Sequence, residues 1–239
     1  MEPEQCANLR HETEIDGQVV QGGLMQSLVD QALGAQHLTS YRLTITPGST
    51  VSHLHPGVEE ALYVVGGMGE IRIAASSHTL GPGQAAFVPA GAEHHYTNTG
   101  DAPMILVGAM VGIGSSPLGR QPLGALVRDE AGVAPTLMGE RSFRVLISPS
   151  VGCQTMTQFT GVIPTGRAPL HAHPHEEAVY ILAGTGRLWI EDEVVGVLRP
   201  GSVVFFPIGV RHTLENTGRE DLKVLGAFSP AGSPDAKRT

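Results

Sequence analysis

The amino-acid sequence predicts an all-β protein built from two tandem copies of one domain. Its 239 residues include 31 Gly and 17 Pro, enough for many tight turns. Short apolar segments rich in Val, Ile, Phe and Tyr end at Gly or Pro, and no helical period lasts beyond two turns. The same order of segments occurs twice. We therefore expect two sandwiches, jelly rolls or barrels made of many short strands.

The repeat is visible when residue i is placed over residue i+118. Residues 17–110 then fall on 135–228, and single-residue gaps lie where turns are expected. The stretch 111–134 is rich in Gly, Pro and Ser and is the predicted linker. The expected domains are residues 1–118 and 119–239.

Within each copy the predicted strands follow in the same order. A first strand, "LTSYRLTITPG", alternates apolar and polar residues, as a half-buried strand does. Three short apolar runs follow in the first copy, "EEALYVVGG", "GEIRIAA" and "QAAFVPAG". The second copy has "EEAVYILAG", "GRLWIED" and "SVVFFPIG" in the same places. Each run is short enough for a strand and too short for a typical helix.

Composition excludes several classes of function. The net charge of −8 and the lack of a basic run give no reason to expect nucleic-acid binding. No segment reaches the ~18 apolar residues of a membrane span, and residues 1–20 do not resemble a signal peptide. Two cysteines, Cys6 and Cys153, indicate no disulfide framework, so a cytoplasmic location is expected.

Histidines and glutamates recur at metal-ligand spacing in both copies. His53 and His55 lie two apart, so both side chains point to one face of a strand. Glu60 opens the next strand and His94 begins a later one, after a Pro-Gly turn. Three imidazoles and one carboxylate suit a divalent Mn, Fe, Ni, Cu or Zn ion with open coordination positions. The neighbouring Glu59 is an alternative to Glu60, and the repeat favours Glu60. The second copy repeats the set as His171, His173, Glu177 and His212.

With these residues, each copy resembles the cupin superfamily. Its first motif is a Gly, an H-x-H pair, a Glu and a Gly, and its second is G-x5-P-x-G-x2-H-x3-N. The positions that match the first motif are Gly48, His53, His55, Glu60 and Gly67, then Gly166, His171, His173, Glu177 and Gly184. Those that match the second are Gly83, Pro89, Gly91, His94 and Asn98, then Gly201, Pro207, Gly209, His212 and Asn216. One residue fewer than usual separates the opening Gly from its His in both copies.

The resemblance implies a bicupin, an all-β chain of two tandem cupin barrels of the jelly-roll type with one metal each. Bicupins include oxalate decarboxylases, quercetin and gentisate dioxygenases, and some isomerases and hydrolases. The leading expectation is a metal-dependent dioxygenase acting on a small enol, phenol or hydroxy-keto substrate. The alternatives are a redox-neutral isomerase, decarboxylase or hydrolase, and a non-catalytic small-molecule-binding protein. A monomer or a homodimer is expected.

Further residues are candidates for catalysis or for lining the sites. Glu60 and Glu177 are candidate bases, and strand alternation allows Tyr41 to reach the first metal as an acid or hydrogen-bond donor. Phe87 and Phe205 are expected to wall the cavities. His175 takes the place of a turn residue and is expected to be solvated. The sequence predicts no arginine facing either site, and it does not determine which way Arg72 and Arg187 point on their strands.

Overall fold

The computed structural model describes residues 8–114 and 126–236. Within these ranges the chain forms 22 strands, and its helical segments are four 3-10 turns. The turns are Glu12–Glu14, Gln31–Leu33, Glu130–Gly132 and Pro149–Val151. No helix in this part of the chain is long and apolar enough to cross a membrane. The predicted boundary between residues 118 and 119 lies outside the described residues.

The strands fall into two series with the same order. The first series is β1 (Asn8–His11), β2 (Gly17–Val20), β3 (Gly23–Val29), β4 (Leu38–Ile45), β5 (Thr50–His53), β6 (Val58–Gly66), β7 (Gly69–Ile73), β8 (Ser76–Leu80), β9 (Gln84–Val88), β10 (His94–Asn98) and β11 (Met104–Gly112). The second is β12 (Val127–Asp129), β13 (Thr136–Met138), β14 (Arg141–Ile147), β15 (Thr157–Ile163), β16 (Gly166–Arg167), β17 (Glu176–Ala183), β18 (Gly186–Ile190), β19 (Glu193–Leu198), β20 (Ser202–Phe206), β21 (His212–Asn216) and β22 (Leu222–Ser229).

Each half forms one barrel from a seven-stranded and a four-stranded antiparallel sheet. The first barrel has sheets ordered β12-β9-β6-β11-β4-β3-β2 and β5-β10-β7-β8. The second has β1-β20-β17-β22-β15-β14-β13 and β16-β21-β18-β19. The predicted all-β architecture of two tandem barrels is confirmed.

Burial along the strands follows from their sequences. In β7 the sequence "GEIRI" alternates buried and exposed residues, so one face packs inward and the other meets solvent. In β6 the apolar run "ALYVV" lies between two neighbouring strands, and its first four residues are buried. A run that is apolar at every position indicates such a strand, buried on both faces.

The hydrophobic core has three main parts. One cluster fills the first barrel, around Leu43, Leu62 and Tyr96. A second cluster fills the second barrel, around Ile181 and Phe206. A third combines residues of both halves and packs the two large sheets against each other. The barrels therefore share one apolar interface.

The two barrels exchange their outermost strands. β1 precedes the first repeat but pairs with β20 of the second barrel. β12 precedes the second repeat but pairs with β9 of the first barrel. The large sheet of the first barrel thus ends in β12, and the large sheet of the second barrel ends in β1. This pairing covers an otherwise open sheet edge and ties the halves together.

A glutamate follows each exchanged strand at the repeat offset, the half-buried Glu12 after β1 and the buried Glu130 after β12. Glu12 accepts a hydrogen bond from the Tyr180 hydroxyl at 2.6 Å and pairs with Arg42 at 3.0 Å. Glu130 accepts from the Tyr63 hydroxyl at 2.6 Å and pairs with Lys223 at 3.0 Å. Each glutamate therefore contacts one residue of the first barrel and one residue of the second.

A second pair of glutamates also links the barrels reciprocally. Glu59 of the first barrel accepts hydrogen bonds from the backbone N–H groups of Gln154 and Thr155, both at 2.9 Å. Glu176 of the second barrel accepts from the backbone N–H groups of residues 36–38 at 2.8–3.2 Å. The first glutamate of each "EE" pair is therefore directed at the barrel interface.

Candidate metal centres

The strand register brings the first histidine set together. His53 ends β5 and lies directly opposite His94, the first residue of β10. His55 follows two residues after His53, and Glu60 lies on β6 with its side chain buried. Because neighbouring residues of a strand face opposite ways, Glu60 points inward while Glu59 points to the interface. The repeat-based choice of Glu60 over Glu59 agrees with this arrangement.

Three side chains of the first set form a compact group. One ligand atom from each of His55, Glu60 and His94 lies within 4.8 Å of the others. The Glu60 carboxylate is 3.1 Å from His94 Nε2 and 3.8 Å from His55 Nε2. The His53 ring lies beside this group, with its centre 5.3 Å from that of His55 and 5.7 Å from that of His94.

The donor atoms of the first set fit a metal ion. His53 Nε2, His94 Nε2 and Glu60 Oε2 are buried and have no hydrogen-bond partner among the described residues. His94 donates its Nδ1–H to the Ala92 carbonyl at 2.9 Å, which leaves the Nε2 lone pair facing the group. Buried polar atoms without partners are costly, and a cation bound at this position would satisfy them.

Two tyrosines hold the other oxygen of Glu60. The Tyr41 hydroxyl makes a short hydrogen bond to Glu60 Oε1, and the Tyr96 hydroxyl donates to the same atom at 2.8 Å. Burial raises the pKa of both phenols and the Glu60 charge raises them further, so they stay protonated donors. Burial alone would raise the pKa of Glu60, but His94 and the phenols outweigh it and lower it. Tyr41 thus reaches the first ligand set, as its strand face predicted.

The second set is assembled in the same way. One ligand atom from each of His171, His173 and His212 lies within 4.8 Å of the others. The Glu177 carboxylate is 3.3 Å from His173 Nε2 and 3.9 Å from His212 Nε2. His171 pairs with His212 across an isolated β-bridge, as His53 pairs with His94 in the first barrel.

Each histidine of the second set is oriented by a backbone carbonyl. The Nδ1–H groups of His171, His173 and His212 donate to the carbonyls of Pro169, Ala236 and Val210, each at 2.9 Å. A carbonyl can only accept, so all three rings carry the proton on Nδ1 when neutral and present Nε2 as the ligand atom. This is the arrangement that metal-binding histidines need.

The electrostatics of the second set differ from those of the first. Burial raises the pKa of Glu177, and nearby His173 offsets this only in part. Burial also lowers the pKa of His212 to about 3, with further contributions from the other histidines. Phe206 stacks on the His212 ring at 3.6 Å between centres. The second set thus combines a neutral His212 with a carboxyl that binds protons more readily than usual.

A cavity of about 100 Å³ opens onto the second set. Phe159 and Leu214 line it and occupy the positions equivalent to Tyr41 and Tyr96. Phe159 packs on Gly226 as Tyr41 packs on Gly108, so the two rings are placed alike in their barrels. The second barrel lacks both phenols and therefore leaves space beside its carboxylate.

The structure corrects two expectations about residues near the sites. Phe87 and Phe205 were expected to wall the cavities, but both are buried in the core between the barrels. Phe206, the next residue, faces the second set instead. His175 was expected to be solvated, but it is only 3 % exposed and is stacked between His173 and Phe228. The second copy is one residue shorter than the first at this turn, and there the side chain of His175 packs inward.

Three residues near the sites were not predicted. Tyr96 lies two residues after His94 on the same strand face, so alternation could have revealed it. His175 forms a further ligand group with His173 and Glu177, within 4.8 Å. Arg141, the first residue of β14, lines the second cavity. Gly23 occupies its place in the first copy, so the repeat carried no indication of it.

Comparisons with known proteins agree with this description. The family model described as "Cupin domain" matches residues 41–110 and 159–228. Protein SchB of Streptomyces halstedii is 38% identical over 64 residues, which cover 26% of this chain and 46% of SchB. The match thus spans less than half of that relative.

Solved structures share the fold over nearly the whole chain. A putative glyoxylate-induced protein from Pseudomonas aeruginosa has a TM-score of 0.79 at 17% identity, covering 93% of this chain and 88% of its own. An oxalate decarboxylase of Bacillus subtilis, described with Mn(II) centres, has a TM-score of 0.77 at 16% identity, covering 94% and 78%. With two matches to the family model on two complete barrels, this chain belongs to the cupin superfamily and is a bicupin.

Proposed function

We propose that this bicupin is a metal-dependent enzyme whose reactive centre lies in the second barrel. The observation that carries the proposal is the difference between the two carboxylates. Glu60 is held by two phenols, whereas Glu177 faces a cavity that a small molecule could enter. Both ligand sets suit a metal, and among the described residues the second set combines a metal-binding geometry with a cavity beside it that could hold a substrate.

The residues that would hold the second ion are His171, His173, Glu177 and His212. A bound Mn, Fe, Ni, Cu or Zn ion would supply Lewis acidity and, for the first four of these metals, redox chemistry. The three Nε2 atoms are already aimed by their Nδ1–H bonds, so binding needs little rearrangement.

Glu177 is the proposed acid–base group. Its raised pKa, caused by burial, brings the carboxyl closer to the range in which it can exchange protons near neutral pH. We propose that it accepts a proton from a substrate hydroxyl, or from a carbon next to a carbonyl, to give an enolate. Phe206 and Val179 line the same cavity and would limit the access of water.

The first site is proposed to be a structural metal centre. Both Glu60 oxygens are committed, one to the phenols and the other to the ligand group. Tyr41 and Glu60 are therefore better suited to positioning than to proton transfer. Their catalytic roles, expected from the sequence, stay a prediction that metal and activity measurements on Tyr41→Phe would test.

The leading reaction is dioxygenation of a small enol, phenol or hydroxy-keto compound, with dioxygen as the co-substrate. Open positions on a four-ligand ion beside a cavity support this reaction. The basicity of Glu177 also supports a redox-neutral isomerase, decarboxylase or hydrolase. Turnover in an oxygen-electrode cell separates the two classes. Oxygen uptake in step with substrate loss supports the dioxygenase, and substrate loss without uptake supports the redox-neutral enzyme.

A non-catalytic binding protein is the remaining candidate. It predicts saturable ligand binding with no product, whatever metal is added. Product formation by wild type that is lost in Glu177→Gln would exclude it, with the metal content of both proteins measured alongside. Glu60→Gln is the matched control, because the same change in the first barrel should leave product formation largely intact.

A further inference from the structure

We propose that the second-barrel cavity takes a small monocarboxylate with a short aliphatic body, and that Arg141 binds its carboxylate. The inference rests on the proposed function, because it names the substrate class of the same site. It goes further by assigning recognition to a residue that is neither a metal ligand nor part of a cupin motif.

Arg141 is a cation without an anionic partner in the described part of the chain. It lies at the start of β14, and its side chain lines the cavity. Its pKa is lowered by burial alone, with no acidic neighbour to offset the cost. A partly desolvated guanidinium beside an apolar cavity is suited to a carboxylate, which it can bind through two parallel hydrogen bonds.

The remaining walls define the body of the ligand. Phe143, Phe159, Val179, Leu214 and Val224 contribute aromatic and aliphatic surface. The volume of about 100 Å³ is smaller than the ~150 Å³ apolar cavity that holds benzene. A short aliphatic chain therefore fits better than an aromatic ring. Enolisable or hydroxylated aliphatic acids have both the carboxylate that Arg141 would bind and the short aliphatic body that the cavity fits. They are therefore the proposed substrates.

The charge around the cavity favours a single carboxylate. Asp235 of the C-terminal segment and Glu177 both line this cavity. With a cation bound at Glu177, Asp235 is the carboxylate that a second negative group on the ligand would meet, with no further arginine or lysine in the wall to pair with that group. A dicarboxylate should therefore bind less well than a monocarboxylate of similar length.

The comparison between barrels makes Arg141 specific to the second site. Its equivalent in the first barrel is Gly23, and the phenols of Tyr41 and Tyr96 approach Glu60 there. The cation and the space beside the carboxylate thus occur together in one barrel. A cation beside an open space is expected in a ligand-binding site, whereas a packed hydrophobic core needs neither.

The test is isothermal titration calorimetry on the full chain loaded with Mn²⁺. The ligands are isobutyrate, its amide isobutyramide, and succinate, titrated into wild type, Arg141→Met and Arg187→Met. Arg187 is an exposed arginine on β18 of the same barrel, so its variant removes the same charge away from the cavity. Metal content is measured on every sample.

We expect isobutyrate to bind wild type at least about tenfold more tightly than isobutyramide or succinate. Arg141→Met should weaken isobutyrate binding by about 10-fold or more, as for a lost hydrogen bond to a charged group, whereas Arg187→Met should not. Equal binding of acid and amide, an unaffected Arg141→Met, or no isobutyrate binding to fully loaded protein would overturn the inference. Absence of metal from the second barrel would instead overturn the proposed function.

Discussion

At the scale of single residues, adjacent glutamates have opposite tasks. Glu60 faces the first ligand set. Glu59 accepts four hydrogen bonds from the second barrel: two from backbone N–H groups, one from the Thr155 hydroxyl at 2.8 Å and one from the Cys153 thiol at 3.6 Å. In the second barrel, Glu177 faces the ligand set and Glu176 accepts hydrogen bonds from the first barrel. A strand alternates faces, so one "EE" pair can both bind a metal and join the barrels.

Substitution of the two glutamates should separate these tasks. Loss of a hydrogen-bond partner behind a ligand lowers metal affinity by about 10–100-fold. Glu60→Gln removes a ligand itself, so it should lower metal affinity at the first site by more than that. Glu59→Gln should instead keep the metal and lower the free energy of unfolding by about 1–3 kcal/mol. Metal titration and urea unfolding of both variants check this. A metal loss in Glu59→Gln without a loss of stability would show that the roles are reversed.

The cavity should close when the second barrel is given the phenol of the first. In Phe159→Tyr the new hydroxyl should bond Glu177 as Tyr41 bonds Glu60, and the pKa of Glu177 should fall. We expect turnover to drop at least about tenfold with metal content unchanged, since the acid–base group is then committed. Tyr41→Phe is the reciprocal control and should leave turnover close to wild type. Full activity of Phe159→Tyr would contradict the assignment of Glu177.

At the scale of elements, the C-terminal segment completes the second site. The Ala236 carbonyl orients His173, and Pro234 and Asp235 line the cavity. The Thr157 hydroxyl donates to the Gly232 carbonyl at 2.9 Å, which fixes this segment against β15. A stretch with no regular secondary structure is therefore part of the ligand geometry.

Removal of residues 230–239 should weaken metal binding at the second site alone. His173 would lose its acceptor, and such losses cost about 10–100-fold in metal affinity. Competition with a chelator, followed by metal analysis, measures the two sites separately. Unchanged affinity at both sites would show that the Ala236 contact does not help to hold the ion.

The sequence was sufficient where local rules decide the structure. Spacing and the internal repeat predicted which histidines and glutamates the structure brings together, because a strand fixes which way His53 and His55 point. It was insufficient where partners come from distant parts of the chain. The exchange of β1 and β12 depends on sheet edges that no local pattern describes. Arg141 has only a glycine as its counterpart in the first copy, and His175 lies at a turn where the two copies differ in length.

At the scale of the whole molecule, buried polar links across the interface hold the barrels together. Glu130 receives hydrogen bonds from Tyr63 of the first barrel and Thr160 of the second, and it pairs with Lys223. Burial alone would raise the pKa of Glu130, but these partners outweigh burial and lower it. The ionised form is therefore the one that the folded protein stabilises.

This link should make stability dependent on pH. A carboxyl with a lowered folded-state pKa stabilises above its unfolded pKa, about 4.3, and the contribution is lost as pH falls through the folded pKa. At pH 7, Glu130→Gln should lower the free energy of unfolding by about 1–3 kcal/mol. Urea unfolding should show the difference from wild type shrinking below about pH 4. A difference that stays constant down to pH 3 would contradict the ionised link.

The central claim is that both barrels bind a metal and that the second is the reactive one. Elemental analysis and turnover, measured together on wild type, His53→Ala and His171→Ala, test it most directly. We expect about two metal equivalents in wild type and the loss of one in each variant, because the two histidines occupy equivalent positions in separate sites. Turnover should survive in His53→Ala and vanish in His171→Ala. Turnover lost with His53 and kept with His171, or no metal in folded wild type after reconstitution, would contradict the account.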